Sequence, residues 1–152
     1  MSLTRRASFR LGLAGITILA SGRFALAGKI NTGHDGLAIE GYDPVAYFLQ
    51  GKAMRGSHEF TARHDGATYR FASAENRDAF VANPERYAPQ YGGFCAFAVS
   101  RGATAPVDPQ AFTVFAGKLY LNYSKSVRAD WQTDIPGNIA KGDANWPELT
   151  VE

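Results

Sequence analysis

Glu59–Tyr87 reads EFTARHDGATYRFASAENRDAFVANPERY. Asp65-Gly66 lies between two β-prone segments, Glu59–Ala62 and Thr68–Ala72, which is a strong short hairpin signal. Thr68, Tyr69 and Phe71 carry the β-branched and aromatic bias of a strand. Ser73 stands where a helix N-cap belongs, and Glu75 falls in the first turn, where a carboxylate complements the helix dipole. The pattern predicts a helix to about Ala82 with Ala79 and Phe80 toward the core. Asn83-Pro84 stops it, because the residue before a proline is pushed out of helical conformation. Pro84-Glu85-Arg86-Tyr87 starts another turn.

Upstream, Gly28–Gly41 is polar and glycine-rich and reads as a lead-in with one short strand at Leu37-Ala38-Ile39. Asp43-Pro44 is a turn that can cap and open a helix. The apolar run Val45–Leu49 then fits a short helix or a strand. Downstream, Ala88–Gly93 is a loop, Phe94–Val99 a fully apolar run buried on more than one side, and Arg101–Pro109 a second loop. Phe112–Phe115 and Lys118–Tyr123 flank Gly117 as a second hairpin. Ser124 caps a helix over Lys125 to about Thr133. Pro136-Gly137 breaks it, and Asn138–Trp146 forms a last short helix. No solenoid-length repeat stands out. The expected class is α+β, one small domain with two β-hairpins and packed short helices.

The chain has 152 residues, 45% hydrophobic and 20% charged, which suits one globular domain. Its net charge of +2 is unevenly spread. Residues 1–27 hold Arg5, Arg6, Arg10 and Arg23 and no acid. The apolar run Leu11–Ala20 is shorter than the roughly 20 residues a membrane span needs. Ala25-Leu26-Ala27 fits a signal-peptidase site, and Arg5-Arg6 fits a twin-arginine export signal, although Phe9 lies one position late. The expectation is a signal at 1–27 with cleavage after about Ala27, a domain at 28–152, and a periplasmic location. Removing the four arginines leaves 12 basic against 14 acidic residues, so the expected mature domain is mildly acidic. Its basic residues are scattered, which argues against nucleic acid.

Asp43-Pro44-Val45, the Asp65-Gly66 hairpin, Tyr69-x-Phe71-x-Ser73, Phe80 and Asn83-Pro84-Glu85-Arg86-Tyr87, in that order, resemble the YHS domain over about residues 42–88. The segments Gln90–Ala96, Lys118–Tyr123 and Asp143–Pro147 are similar to exported, stand-alone members. The resemblance implies heavy-metal handling, with copper as the expected ion. The metal-binding members carry three cysteines at positions that fall here on Ala46, Ala72 and Asn76. All three thiols are absent, so the family's ligand set does not carry over.

Soft thiolate suits Cu(I), and imidazole suits Cu(II) or Zn. The donors left are Cys95, His58, His64 and His34. His58 and His64 are separated by about 20 Å if the intervening six residues form a straight strand at about 3.3 Å each. Cys95, in an apolar run, also reads as a small buried hydrophobe, and His64 and His58 as surface residues near the hairpin. The seven tyrosines read as core packing with surface hydroxyls, a ligand pocket being the alternative. Asp43, Asp65 and Asp108 lie at turns, where capping explains them. No nucleophile elbow, phosphate loop or His-Glu-x-x-His motif is present, so no catalytic site is expected. Three readings remain: a copper-handling protein using Cys95 with His64 or His58; a metal-free module for a periplasmic protein or small ligand; and a thiol redox protein, which would lack a resolving cysteine.

Overall fold

A computed structural model describes residues 29–149. Arg5, Arg6, Ala25, Ala27 and the expected cleavage point lie outside them. The elements are α1 (Ala46–Leu49), β1 (Ser57–His64), β2 (Ala67–Phe71), α2 (Ala74–Ala82), α3 (Pro84–Tyr87), α4 (Ala96–Ser100), β3 (Asp108–Phe115), β4 (Lys118–Asn122), α5 (Lys125–Gln132) and α6 (Ile135–Asn145). The α+β class holds: β1 pairs with β2 and β3 with β4, as two separate antiparallel hairpins.

The local signals of the first hairpin act as their chemistry suggests. Asp65 and Gly66 both have positive φ, 48° and 80°, as a type I′ turn requires. Ser73 Oγ accepts the Asn76 N–H at 3.2 Å and caps α2. Phe80 is buried, while Ala79 packs half-buried at the core's edge.

The chain repeats this construction. Ile39, Glu40 and Gly41 are left-handed in succession, and so are Tyr91, Gly92 and Gly93. Asp43 N–H then donates to Met54 O at 2.8 Å, and Cys95 N–H to Ala105 O at 3.0 Å. Each segment continues into a short helix and then a hairpin. The bulge between Ser57 and Thr61 recurs between Asp108 and Phe112. Ser124 Oγ accepts the Val127 N–H at 3.1 Å, as Ser73 does for Asn76. Tyr69, Ser73 and Arg77 recur as Tyr120, Ser124 and Arg128. The chain is thus two structural copies, a spacing too long and an identity too sparse to register as a repeat in the sequence.

The copies share one core, and the second copy has another of its own. Tyr69, Phe71 and Phe80 from the first and Leu119, Leu121 and Cys95 from the second belong to one cluster. Tyr91, Phe94, Val99, Tyr120 and Trp131 form another beneath α4–α6. β4 separates them, with Leu119 and Leu121 in one core and Tyr120 in the other.

Four expectations need correcting. Leu37–Ile39 makes only isolated bridges, Leu37 to Thr68 and Ala38 to Thr32, because Ile39 turns left-handed at φ 53° and ends the extended run. Phe94–Val99 is not a uniformly buried run: Ala96 begins a helix, which turns Phe97 and Ala98 to half-buried positions. Pro136-Gly137 starts α6 rather than breaking a helix. Proline needs no N–H partner in a first turn, and Asp134 Oδ1 accepts the Gly137 N–H at 3.0 Å. Tyrosine hydroxyls do not all reach the surface, since Tyr47 donates to Pro109 O at 2.7 Å in the interior and the Tyr69 hydroxyl is buried without a partner.

Candidate functional site

Asp43 is fully buried, and its carboxylate is saturated by donors. Oδ1 accepts the N–H groups of Val45 and Ala46 at 2.8 and 3.2 Å. Oδ2 accepts the Ala72 N–H at 2.8 Å and the Asn76 side-chain amide at 2.7 Å. Ala46, Ala72 and Asn76, separated in sequence, therefore meet at one carboxylate. They are the three positions at which the YHS resemblance expects cysteines. Two methyl groups and an amide stand there instead, and Gln50 Oε1 takes a second bond from Asn76 at 3.0 Å. A soft cation finds no thiolate in this knot, and the carboxylate has no free lone pair directed at one.

Cys95 holds the matching place in the second copy. Tyr123 N–H donates to its Sγ at 3.3 Å, as Ala72 N–H does to Asp43. The Sγ lies 3.4 Å from Asn122 Oδ1, which also accepts the Phe97 N–H at 3.0 Å. Cys95 is 2% exposed, the buried small residue that its apolar run suggested. Asn122 takes the place of Phe71 in the repeat, and its Nδ2 is buried without a partner.

The histidines lie in other surroundings. His58 is exposed near the start of β1, and His34 is exposed in the lead-in. His64 ends β1 half-buried, its Nε2 3.2 Å from Asp65 Oδ2 and its ring 5.8 Å edge-on from Phe80. Hairpin closure lays its ring against the core, so it is less exposed than its turn position suggested. Among the described residues, no group of three His, Cys, Asp or Glu side chains is placed to hold a metal ion.

Two cavities flank the left-handed turns. One, of about 220 Å³, lies beside Ile39 and Glu40. The larger, about 430 Å³, opens between the tip of the first hairpin, Tyr91-Gly92 and the end of α6. Lys29, His64, Asp65, Glu85, Tyr91 and Trp146 line it. Left-handed conformation at non-glycine residues such as Ile39, Glu40 and Tyr91 costs roughly 1–3 kcal/mol each and concentrates at functional sites. Tyr91 is one of the lining residues, and its hydroxyl donates to Asp143 Oδ1 at 2.9 Å. Burial, then that bond, then the Asp143 charge raise its pKa well above the ordinary phenol value. The hydroxyl thus serves as a hydrogen-bond donor to Asp143. This cleft was not legible in the sequence, because its walls come from the lead-in, both copies and the C-terminal turn.

Comparison of the chain with family models, with curated proteins and with solved structures finds no match. Among the described residues, no helix is long and apolar enough to cross a membrane.

Proposed function

We propose that this chain is an exported, non-enzymatic YHS-like module that works in the periplasm by binding a ligand or partner without a metal ion. The observation that carries this reading is the convergence of Ala46, Ala72 and Asn76 on Asp43. In support, the backbone N–H groups of Ala46 and Ala72 and the Asn76 side-chain amide all bind Asp43, and none of these three side chains offers a thiolate. Export rests on the arginine-rich, acid-free first 27 residues and Ala25-Leu26-Ala27. The non-enzymatic reading draws on the polar knots, where Asp43 and Cys95 are each engaged in internal hydrogen bonds and hold no reactive group toward solvent. The cleft at Tyr91 and Trp146 is the favoured place for binding, since it is the larger cavity and combines aromatic walls with charged rims.

The test is to load the purified protein with Cu(I), and separately with Zn(II), then desalt it and measure the metal by elemental analysis. The expected content is far below one equivalent and unchanged by Cys95→Ser. One retained equivalent of copper that Cys95→Ser removes would overturn this reading and restore the copper-handling one.

A further inference from the structure

The cleft already contains a cation. Lys29 Nζ lies 5.5 Å from the centroid of the Trp146 ring. Among the described residues Lys29 makes no ion pair, so its ammonium is held by an aromatic face rather than a carboxylate. The Trp146 ring and the backbone that carries Lys29 are both held in place. Trp146 packs 6.1 Å from Tyr91, edge to face, and 6.1 Å from Phe94. The segment carrying Lys29 is pinned by Asn31, whose N–H donates to Gly92 O at 2.8 Å and whose side-chain amide donates to Gly93 O at 3.2 Å. That close approach requires glycine at 92, where a Cβ would fall 1.7 Å from Lys29 O. The rim is acidic: Asp65 and Glu85 both line the cleft and both are exposed. Asp65 is engaged with His64, whereas Glu85 forms no ion pair among the described residues.

An ammonium over an indole face with carboxylates at the rim is the arrangement that recognises organic cations. We propose that the cleft binds an organic ammonium ligand across Trp146, and that Lys29 is a built-in competitor which the ligand displaces. The inference rests on the binding-module reading above and adds its ligand class. With Lys29 swung away, the lining holds two carboxylates against one imidazole. An anion would lose its one lysine and meet Asp65 and Glu85, so the cleft disfavours it. The full chain carries the components needed: the face of Trp146, the carboxylates, and a lysine whose removal should strengthen binding rather than weaken it.

The experiment titrates the full-length chain with tetramethylammonium and with spermidine at low, matched ionic strength. Amide chemical shifts and tryptophan fluorescence report binding. Trp131 is fully buried, so fluorescence changes are assigned to Trp146. The expected result is saturable binding of at least one of these probes with shifts centred on Lys29, Tyr91 and Trp146. Lys29→Met should tighten it roughly three-fold, the gain from removing a cation–π competitor. Trp146→Leu should weaken it roughly ten-fold or more. Glu85→Gln, at an exposed position, should weaken it about two-fold. Tetramethylammonium binding would show that the aromatic face suffices; spermidine binding alone, weakened by Trp146→Leu, would show that the face needs the rim carboxylates as well. Absence of saturable binding by either probe, in both the parent and Lys29→Met, overturns the proposal. So does binding that Trp146→Leu leaves unchanged. Acetate and glucose run in parallel separate the two levels: if either moves the cleft amides while no ammonium does, the ligand class falls and the binding module stands. If no probe moves them, both fall.

Discussion

Asp43 and Cys95 occupy the same place in the two copies, and each accepts the backbone N–H that follows the second strand of its hairpin. Their surroundings differ. Around Asp43 four N–H donors converge, one of them the side-chain amide of Asn76. Around Cys95 one N–H meets the sulfur, and Asn122 takes over the Phe97 N–H that a carboxylate would have received. The same backbone plan is tied once by a strong charged acceptor and once by a weak neutral one. The strands beside them differ in the same sense. In β2 only Ala67, Tyr69 and Phe71 are buried, with Thr68 and Arg70 between them half-exposed. In β4 Leu119, Tyr120, Leu121 and Asn122 are all buried, because helices of the second copy cover the face that β2 leaves partly open. A repeated hairpin does not need repeated chemistry; it needs an acceptor at one position and apolar residues wherever a neighbour covers it.

The largest effect should come from removing the stronger knot. Asp43→Ala orphans three backbone N–H groups and one N–H of the Asn76 amide and is expected to cost on the order of 3–5 kcal/mol, read from urea unfolding. Cys95→Ala removes a weak acceptor and a small volume and should cost about 1–2 kcal/mol. Equal losses would break the comparison between the two knots.

Next come the strands. Leu121→Ala should cost about 2–4 kcal/mol through the cavity it leaves, and Tyr120→Ala, on the opposite face of β4, a similar amount. In β2, Thr68→Ala should stay within about 0.5 kcal/mol. A small effect for Tyr120→Ala would show that the second core contributes little and that β4 is one-sided like β2.

The two capping serines should behave alike. Ser73→Ala and Ser124→Ala are each expected to cost about 1 kcal/mol, as N-cap truncations do. A difference well beyond that scale would mean that the helices of the two copies are not equivalent.

The smallest effect at neutral pH is tyrosine titration, which is silent there. Burial raises the pKa values of Tyr47, Tyr69, Tyr91 and Tyr120, with a nearby charge adding to each. The folded chain therefore holds these protons more tightly than the unfolded chain. Their contribution is complete below the unfolded pKa near 10 and is lost as pH rises from there toward the raised folded values. The urea midpoint should fall above about pH 10, less steeply in Tyr91→Phe. An unchanged midpoint up to pH 12 would contradict the burial argument.

Much of the fold was legible because it rests on local chemistry. Asp65-Gly66 closes a turn, Ser73 and Ser124 cap helices, and Pro84 ends one whatever surrounds them. Ile39 was misread because nothing local favours a left-handed β-branched residue; its burial in the core beside β2 holds it there. Pro136-Gly137 was misread because a first-turn pair looks like a breaker until Asp134 is seen to cap it. Of the candidate site residues, Cys95 was recognisable as buried, but its equivalence to Asp43 was not. The spacing between them is long and the two residue types have nothing in common.

By itself the sequence determined the α+β class, both hairpins, the capped helices and the absence of cysteine at Ala46, Ala72 and Asn76. Those features depend on residues close together in the chain or on side chains that are simply absent. Only the tertiary structure decided that the chain is two copies of one plan, that the three thiol-less positions meet at Asp43, and that Lys29 lies over Trp146. Each of these joins segments far apart in sequence, and only the packing of the cores fixes their distances.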